Sequence, residues 1–598
     1  MRTKQLTAST PRQYLSRRGA RTKATLNLTD LPQGPLPAIP LPEHDQDSTP
    51  AYPPVIQQHL NHVRQFSDCV VLTRVGNFYE MYAEQADQFG PPLNLKVAQR
   101  RTSMGPVSMA GFQYVYLDRY LRTLVQDLNQ HVAISEEVRN SAADQVKSGG
   151  LLYTRKVSRI ITAGTLVDEN FMDPLENNFL LAVDFGTTPP SPNLPLADAA
   201  AYFRSQPRTS VGLAWADLSS GDFFTQRTDM ASLASLVARI GAKEVVLCAS
   251  LAQLDQNCID ILLGDSSRNS TFHSFVANDI SIEQWLPMLE KPVPSEEAEH
   301  FTPEEISAGS LLLDYVKGKL LGLGVSLQCP VRRIEAEYMS IDRHTLKGLE
   351  IRSTMREGAF QGSLLHSIRK TVTKSGTRLL NQRLGIGGPP ARDSGQLTSS
   401  SVSPSLSLSV IRNRLDLVEL LRVDSFRSDI TSLLRRSSDT LRLLQKFSIG
   451  KGDADDLLAL AKTTIITRDV CATLEQRLQY IRATCETDKS SSEFDREGAL
   501  SSLLERLEVD GPHRLARLIV NAIDEDGLSR QHLIEEAEAV SIANSTKDTI
   551  SGDVEESHNK KSRRGQGSSI ASGSEDDSRD VWTMRREYAS RLAEHDSR

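Results

Sequence analysis

Residues 72–82 read LTRVGNFYEMY, an apolar run that breaks at Gly76-Asn77 and resumes with two aromatic residues and a carboxylate. Side chains alternate along a β-strand, so Phe78 and Glu80 are expected on one face and Tyr79 toward the interior. A phenylalanine is a flat apolar side chain of the kind that inserts at a base step. From this chemistry alone an ordinary core strand is the favoured interpretation, since strands are naturally rich in aromatic residues.

Three segments in order resemble the mismatch-recognition domain of the MutS family. Residues 76–82 resemble its Gly-x-Phe-Tyr-Glu motif, residues 109–114 (MAGFQY) its Met-Ala-Gly-x-Pro segment, and residues 159–165 (RIITAGT) its closing Arg-x-x-Thr-Pro-Gly-Thr. Asn77 replaces a frequent aspartate, and Gln113 and Ala163 each replace a usual proline. These departures concern local turns and leave the resemblance of the domain intact.

The resemblance implies that the chain binds mismatched double-stranded DNA and bends it. Phe78 would be the wedge that stacks on the mispaired base, and Glu80 would accept a hydrogen bond from that base. Unstacking costs less at a pair that is already mispaired, so a wedge can select mismatches without a base code. Four basic residues near the motif are candidates for the DNA backbone or, equally, solvated surface charges: Arg74, Lys96, Arg100 and Arg101.

The remaining sequence predicts a multidomain fold of α/β and α domains. The mixed α/β mismatch-recognition domain is expected at 54–168, an RNase-H-like α/β connector domain at 169–298, and a mostly helical, incomplete lever domain at 299–598. Within the connector, apolar runs at 179–184, 211–217 and 223–225 predict strands, the last two forming a hairpin around Ser-Ser-Gly-Asp, and a helix is expected at 230–240. Residues 339–351, 363–380 and 413–419 resemble lever motifs. Disordered insertions or surface loops are expected near 391–409 and 544–580.

Bulk properties limit the function classes. A chain of 598 residues is too long for one hydrophobic core, and 39% hydrophobic with 24% charged residues is an ordinary globular composition. The net charge of −7 argues against a generally basic coat for nucleic acid, so DNA binding needs local basic faces. No run of about 18 apolar residues occurs, so no membrane span or membrane partner is expected. The six cysteines are scattered, which favours neither disulfides nor a zinc site.

The first 53 residues are predicted to be a presequence and a proline-rich linker. No acidic residue precedes Asp30, while seven basic residues lie among Ser and Thr (Arg2, Lys4, Arg12, Arg17, Arg18, Arg21 and Lys23). This composition is typical of a mitochondrial presequence. The alternative is a basic tail that holds phosphates or acts as a nuclear signal. Together with the resemblance, the predicted presequence indicates a mitochondrial MutS homologue of the fungal type.

A MutS ATPase requires the phosphate-binding sequence GxxxxGK[S/T]. Its nearest counterpart, Gly450-Lys451, lacks the following Ser or Thr, and Lys374-Ser375 is preceded by Thr373 instead of glycine. The chain is therefore expected to be a portion of a longer or split protein, to have no catalytic, cofactor or metal site, and not to be an enzyme. ATP, Mg²⁺ and a homodimer are expected of the full-length family form.

Two alternatives come from other functional classes. Asp184, Asp217 and Asp222 fall at predicted strand ends, where clustered carboxylates of an RNase-H-like nuclease would hold Mg²⁺. Asp217 and Asp222 also flank a tight turn, where aspartate is expected for turn reasons alone. The second alternative is a protein-interaction scaffold whose first domain has lost DNA binding.

Overall fold

The computed structural model describes residues 52–140, 152–167, 172–185, 209–253, 256–264, 270–275, 281–322, 324–334, 341–385, 388–393, 396–402, 408–485, 491–534, 537 and 584–585. The predicted presequence with most of its linker, and the predicted insertion at 544–580, lie outside these ranges. Two mixed six-stranded sheets are followed by a helical region. In the described ranges, no helix has the length and apolar character needed to cross a membrane.

The first sheet is built around the 72–82 stretch. Its strands are β1 (Cys69–Val75), β2 (Phe78–Tyr82), β3 (Ala98–Thr102), β4 (Gly105–Gln113), β5 (His131–Arg139) and β6 (Tyr153–Ile161). They lie in the order β3-β4-β2-β1-β5-β6, with β1 and β5 parallel and the other neighbours antiparallel. Gly76 has a φ of +59°, which a glycine adopts readily, and it allows the tight turn between β1 and β2.

Helices cover both faces of this sheet. Helix α1 (Pro54–Gln65) begins with a proline in its first turn and buries Ile56 and His59. Helices α2 (Glu84–Phe89) and α3 (Leu117–Arg122), with the π turn Thr123–Asp127, pack on the other face. Helix α1 covers only part of its face of the sheet, and the part at the start of β2 is exposed.

The second sheet contains the strands predicted for the connector. They are β7 (Phe179–Asp184), β8 (Ser210–Asp217), β9 (Asp222–Asp229), β10 (Glu244–Cys248), β11 (Ser270–His273) and β12 (Val331–Arg333). Their order is β11-β10-β7-β8-β9-β12. β7, β8 and β9 are successively antiparallel, whereas β10 is parallel to β7 and β11, and β12 is parallel to β9. The predicted strand at 179–184 and the predicted hairpin around residues 219–222 are confirmed.

The predicted helix at 230–240 is also confirmed, as α4 (Met230–Ile240). Asp229 caps its start by accepting a hydrogen bond from the Ser232 amide at 2.8 Å, and Gly241 ends it with a φ of +64°. With α5 (Gln256–Leu263), it packs on one face of the second sheet. The local sequence fixes this element because both caps are present.

Residues after 298, where the sequence predicts the lever domain to begin, still pack on the second sheet. After the single turn α6 (Ser295–Ala298), helix α7 (Pro303–Leu320) packs on β7 and β8, burying Leu311, Leu312 and Val316 against the second sheet. β12 then joins the edge of that sheet. Helical periodicity identified α7 as a helix, but periodicity does not tell which neighbour a helix covers.

The remaining described part is mostly helical. Its helices are α8 (Arg343–Gly348), α9 (Leu364–Ile368), α10 (Lys374–Gly385), α11 (Leu408–Leu420), α12 (Asp424–Leu434), α13 (Thr440–Ser448), α14 (Ala454–Cys485), α15 (Ser491–Glu505) and α16 (Asp510–Ala522). One apolar cluster joins Leu420, Phe426, Leu474, Leu478 and Leu500. Deeper in the block, the Arg378 guanidinium donates to the Asp439 carboxylate, with both side chains buried and Nη2 at 2.9 Å from Oδ1.

The insertion expected near 391–409 is not without regular structure. Strands β13 (Gly388–Asp393) and β14 (Gln396–Val402) form an antiparallel pair with two shifts in register. Of the two alternatives, a disordered insertion or a surface loop, this hairpin corresponds to the second, which composition alone does not distinguish from the first.

The Glu244 carboxylate connects the two sheets. It is buried at the start of β10 and accepts hydrogen bonds from the Gly164 amide at 2.8 Å and the Thr271 hydroxyl at 3.0 Å. The hydroxyls of Thr162 and Tyr315 donate to it as well. Gly164 and Thr162 follow β6, so a charge that is costly to bury is satisfied by groups from both sheets.

Candidate nucleic-acid interface

Strand β2 presents Phe78 and Glu80 on one face of the first sheet. Phe78 is 40% exposed, Tyr79 is 3% exposed, and Glu80 is partly exposed. This is the alternation that an extended strand produces, with Tyr79 directed inward as predicted. The exposed Phe78 ring at the start of β2 is therefore available to stack on a planar group.

The neighbouring strands place further residues on the face of Phe78 and Glu80. Phe78 pairs with Val75 on β1 and Gln113 on β4, while Glu80 pairs with Thr73 and Gly111. A Cβ atom on Gly111 would lie 3.0 Å from the Glu80 Cγ atom and 3.0 Å from the Tyr79 carbonyl oxygen. The absence of a side chain at residue 111 therefore gives the Glu80 side chain its space.

The opposite face anchors the strand. The Tyr79 hydroxyl donates a hydrogen bond to the Glu136 carboxylate at 2.6 Å. Its ring packs near Phe112, with ring centroids 6.1 Å apart, in the core that α2 and α3 cover. Burial raises the pKa of the Tyr79 hydroxyl, and the Glu136 carboxylate raises it further, so Tyr79 remains a donor.

Tyr82 is the last residue of β2 and lies beneath α1, on the same face as Phe78 and Glu80. Its ring is 1% exposed and packs with Ile56 and Val107, and its hydroxyl donates a hydrogen bond to the Glu80 carboxylate. Burial, followed by the bond to Glu80, raises the pKa of the Tyr82 hydroxyl. Sequence analysis assigned no role to Tyr82, although its position two residues after Glu80 places both on one face.

His59 of α1 packs against Tyr82 and Thr73 on the same face of the sheet. It is fully buried, its ring meets that of Tyr82 edge-on at a centroid distance of 5.2 Å, and Nδ1 lies 2.8 Å from the Thr73 hydroxyl oxygen. Burial lowers the pKa of His59 to about 4, and the nearby His62 lowers it further. His59 is therefore neutral at pH 7 and contributes packing and a hydrogen bond to this face of the sheet.

The four basic candidates do not share one face. Arg100 lies in the exposed edge strand β3 and pairs with Val107 of β4. It is on the face of Phe78 and Glu80. Arg101 is exposed on the opposite face of β3, and Lys96 is exposed just before that strand. The structure thus brings Arg100 to the candidate surface and keeps Lys96 and Arg101 along its edge.

Arg74 lies on the opposite face from Phe78. It pairs with Tyr79 in the β1–β2 register, and its Nη1 atom is 3.5 Å from the Glu136 carboxylate. The guanidinium also lies over the Tyr114 ring at 5.2 Å from the centroid. Tyr114 in turn donates its amide hydrogen to the Asn77 carbonyl at 2.9 Å, next to the wedge candidate. Arg74 therefore supports the β1–β2 turn from behind.

The carboxylates of the nuclease alternative are not gathered at one place. Asp217 pairs with Phe179 at the start of β7, whereas Asp184 ends β7 and pairs with Gly212. These positions are about 17 Å apart along an extended strand. In the described ranges, no group of three or more His, Cys, Asp or Glu side chains has the arrangement needed for a metal ion.

Asp217 and Asp222 instead organise the hairpin turn. Asp217 is buried and accepts hydrogen bonds from the amides of Ser219 and Asn178, both at 3.0 Å. Asp222 accepts one from the Ser220 hydroxyl at 2.7 Å, and burial raises its pKa to about 6. The turn interpretation accounts for the contacts of both residues.

Comparisons with known families can be set against this geometry. Residues 53–170 match MutS domain I, residues 199–324 match MutS domain II, and residues 344–563 match MutS domain III. The matches support the MutS family. The MutS domain I match contains the β2 surface, and the MutS domain II match extends over α7, in keeping with the packing of that helix on the second sheet.

Several proteins named DNA mismatch repair protein MutS are similar to this chain. The protein from Rhodopirellula baltica is 28% identical over 502 residues, covering 80% of this chain and 53% of that relative. The protein from Zymomonas mobilis is 29% identical over 477 residues, covering 77% and 48%. The protein from Synechococcus elongatus is 29% identical over 446 residues, covering 71% and 45%. The chain thus spans about half the length of the curated MutS relatives it matches.

Proposed function

We propose that this chain binds mismatched duplex DNA and bends it, with Phe78 inserted as a wedge at the mispair. The observation that carries the proposal is the 40% exposure of Phe78 at the start of β2, on the face that also holds Glu80. The relatives named DNA mismatch repair protein MutS support this assignment.

The proposed recognition has an energetic basis. Separating a base step costs a few kcal/mol, and the cost is smaller where the pair is already mispaired. Phe78 stacks on the exposed base, and the Glu80 carboxylate, which can only accept hydrogen bonds, receives one from a base N–H group. A correct Watson–Crick pair keeps that N–H group engaged, so it offers Glu80 nothing to bind.

Phosphate contacts supply the sequence-independent part of the affinity. The net charge of −7 requires a local basic surface, and Arg100, Arg101 and Lys96 lie exposed in and before the edge strand β3. We propose these three as backbone contacts. Arg74 contributes less, because its guanidinium is engaged by Glu136 and Tyr114 on the other face.

The domain assignments extend the proposal. We infer an RNase-H-like connector from the three antiparallel strands β7, β8 and β9 with β10 and β11 added in parallel beside β7. We assign the helices from residue 343 onward to a lever domain, supported by the MutS domain III match. These blocks connect the proposed DNA contact to the rest of a MutS-type assembly.

Cofactor use, assembly and location are proposals about the whole protein. No GxxxxGK[S/T] sequence occurs in the 598 residues, so we propose that this chain alone does not hydrolyse ATP. ATP, Mg²⁺ and homodimer formation belong to the full-length family form. The acid-free basic segment before Asp30 supports a mitochondrial location, and the protein would then be a mitochondrial MutS homologue of the fungal type.

A binding titration tests the proposed function. The full chain is titrated against a labelled G·T-mismatched duplex and its matched control at two salt concentrations, since affinity for DNA depends on salt. Phe78→Ala is expected to abolish the preference for the mismatch. The control variant is Tyr480→Ala, which removes an aromatic side chain that is 60% exposed on α14 and is expected to keep the preference.

Two results would count against the proposal. Equal, weak and salt-sensitive binding of both duplexes by the wild-type chain would show that it does not read mismatches. A mismatch preference that survives Phe78→Ala would remove the wedge from the mechanism while leaving mismatch binding in place.

A further inference from the structure

We propose that Tyr82 is a positioning residue for Glu80 and sets how strongly this chain discriminates mismatched from matched DNA. The inference rests on the proposed function and goes beyond it, because Tyr82 would act without touching the DNA. It starts from the hydrogen bond that the Tyr82 hydroxyl donates to the Glu80 carboxylate.

Tyr82 is held far more firmly than the residue it bonds. Its ring is 1% exposed, packs with Ile56 and Val107, and meets the His59 ring at a centroid distance of 5.2 Å. Glu80 is only partly exposed but carries a long side chain with several rotamers. A fixed donor bonded to a mobile acceptor restricts the acceptor, so the position of the carboxylate is determined from beneath α1.

The sheet on the other side of Glu80 admits this arrangement. Gly111 faces Glu80 across the β2–β4 pair, and the Glu80 Cγ atom occupies the place that a side chain at residue 111 would need. On the β1 side, Thr73 faces Glu80 and lies 2.8 Å from the His59 Nδ1 atom. Glu80 is thus bounded by Gly111, by Thr73 with its hydrogen-bonded partner His59, and by the Tyr82 phenol.

The hydrogen bond from Tyr82 engages only one of the two Glu80 carboxylate oxygens. Tyr82 donates to Oε2, and a carboxylate has a second oxygen that can accept a bond from a base. Burial raises the pKa of Tyr82, so the phenol stays protonated and remains a donor near neutral pH. With Oε2 held by Tyr82, Oε1 remains able to accept a hydrogen bond from a base, and the Glu80 side chain loses less rotamer freedom on binding.

The expected effect is a loss of discrimination. Freezing one flexible side chain on binding weakens an interaction about 2- to 10-fold. Tyr82→Phe keeps the ring and removes only the hydroxyl. We expect it to lower the mismatch-to-match affinity ratio of the full chain about 2- to 10-fold while the affinity for the matched duplex stays the same.

The test is a double-mutant cycle on the full chain with the G·T and matched duplexes. Tyr82→Phe is measured in the wild-type and in the Glu80→Ala background, and it should change the affinity ratio only where Glu80 is present. Tyr79→Phe is the matched control. It removes another buried hydroxyl from β2, one that bonds Glu136 on the opposite face, and should leave the ratio unchanged.

Three results would overturn the positioning role proposed for Tyr82. If the wild-type chain prefers mismatches and Tyr82→Phe leaves or raises the ratio, the positioning role is wrong and the proposed function stands. If Tyr82→Phe lowers binding equally in both backgrounds, including through damage to the fold, Tyr82 acts independently of Glu80 and the inference is overturned. If the wild-type chain shows no preference at all, the proposed function fails and the inference falls with it.

Discussion

Gly111 lies directly across from Glu80 in the β2–β4 pair, and a Cβ atom at residue 111 would lie 3.0 Å from the Glu80 Cγ atom. The same atom would lie 3.0 Å from the Tyr79 carbonyl oxygen, which belongs to the backbone and cannot turn away. The smallest residue is therefore matched to the long carboxylate that crosses over it.

We predict that Gly111→Ala destabilises the chain by about 1–3 kcal/mol, because overpacking forces neighbouring atoms to shift. The displaced Glu80 side chain should also lower the mismatch preference. Urea unfolding and the duplex titration measure the two effects. Gly318→Ala is the control, since a Cβ atom at this exposed position of α7 meets nothing within 4 Å and alanine favours helices. Equal stability of both variants would contradict the prediction.

Arg100→Ala is predicted to weaken binding of mismatched and matched duplexes by a similar factor. A phosphate contact carries no base information, and its loss should reduce the slope of log affinity against log salt by about 1. The measurement is a titration at four salt concentrations, with Lys317→Ala on the exposed side of α7 as the control. A change confined to the mismatched duplex would instead place Arg100 at the base.

The buried pair Arg378–Asp439 is predicted to be a weak point of the helical region. Asp439→Ala leaves the Arg378 guanidinium buried without its carboxylate and should cost about 3–5 kcal/mol. Unfolding in urea gives the value. The control is Glu525→Ala, which breaks the exposed Lys462–Glu525 pair of 2.9 Å and should cost about 0–1 kcal/mol. Similar losses for both variants would show that Asp439 is easily replaced.

The contribution of His59 to stability is predicted to fall as the pH drops from about 7 to 4, whereas Asp222, whose pKa burial raises to about 6, contributes in the opposite direction. Burial lowers the pKa of His59 from 6.5 to about 4, so in this window the unfolded chain binds a proton that the folded chain does not. The stabilisation is complete above pH 6.5 and is lost as the pH approaches 4. At about 1.4 kcal/mol per pKa unit, the loss reaches about 3 kcal/mol.

His59→Gln removes this titration, so the unfolding free energy at pH 5 relative to that at pH 7 should be higher for the variant than for the wild type. The remaining pH dependence combines His62 and His131, whose pKa values burial lowers, with Asp222, whose pKa burial raises. The comparison uses the difference between the two pH values within each protein, so a constant loss of packing cancels. Parallel pH curves for the variant and the wild type would refute the assignment to His59.

Local sequence was sufficient for the elements whose limits are written in neighbouring residues. The helix Met230–Ile240 is bounded by an aspartate cap and a glycine, and the β8–β9 hairpin by Asp217, Gly221 and Asp222. The common face of Phe78 and Glu80 followed from the two-residue period of a strand. These predictions needed no knowledge of distant parts of the chain.

Long-range contacts were beyond such reasoning. Arg74 was a candidate for phosphate binding, yet the β1–β2 register places it opposite Tyr79, where it contacts Glu136, 62 residues away in the sequence. The role of Gly111 depends on the β2–β4 register, and the place of α7 depends on which sheet has an uncovered face. Each of these facts arises from pairing between distant segments, which a single sequence does not specify.

The Glu244 carboxylate has a mechanical consequence for the proposed wedge. A side chain that pries a base step apart experiences an equal and opposite force, and β2 can transmit it through β1 and β5 toward the far side of the sheet. There the residues after β6 are fastened by Glu244 to β10, and through Thr271 and Tyr315 to β11 and α7. If Phe78 acts as the proposed wedge, the load on it would be shared between the first sheet and the second sheet that Glu244 joins to it.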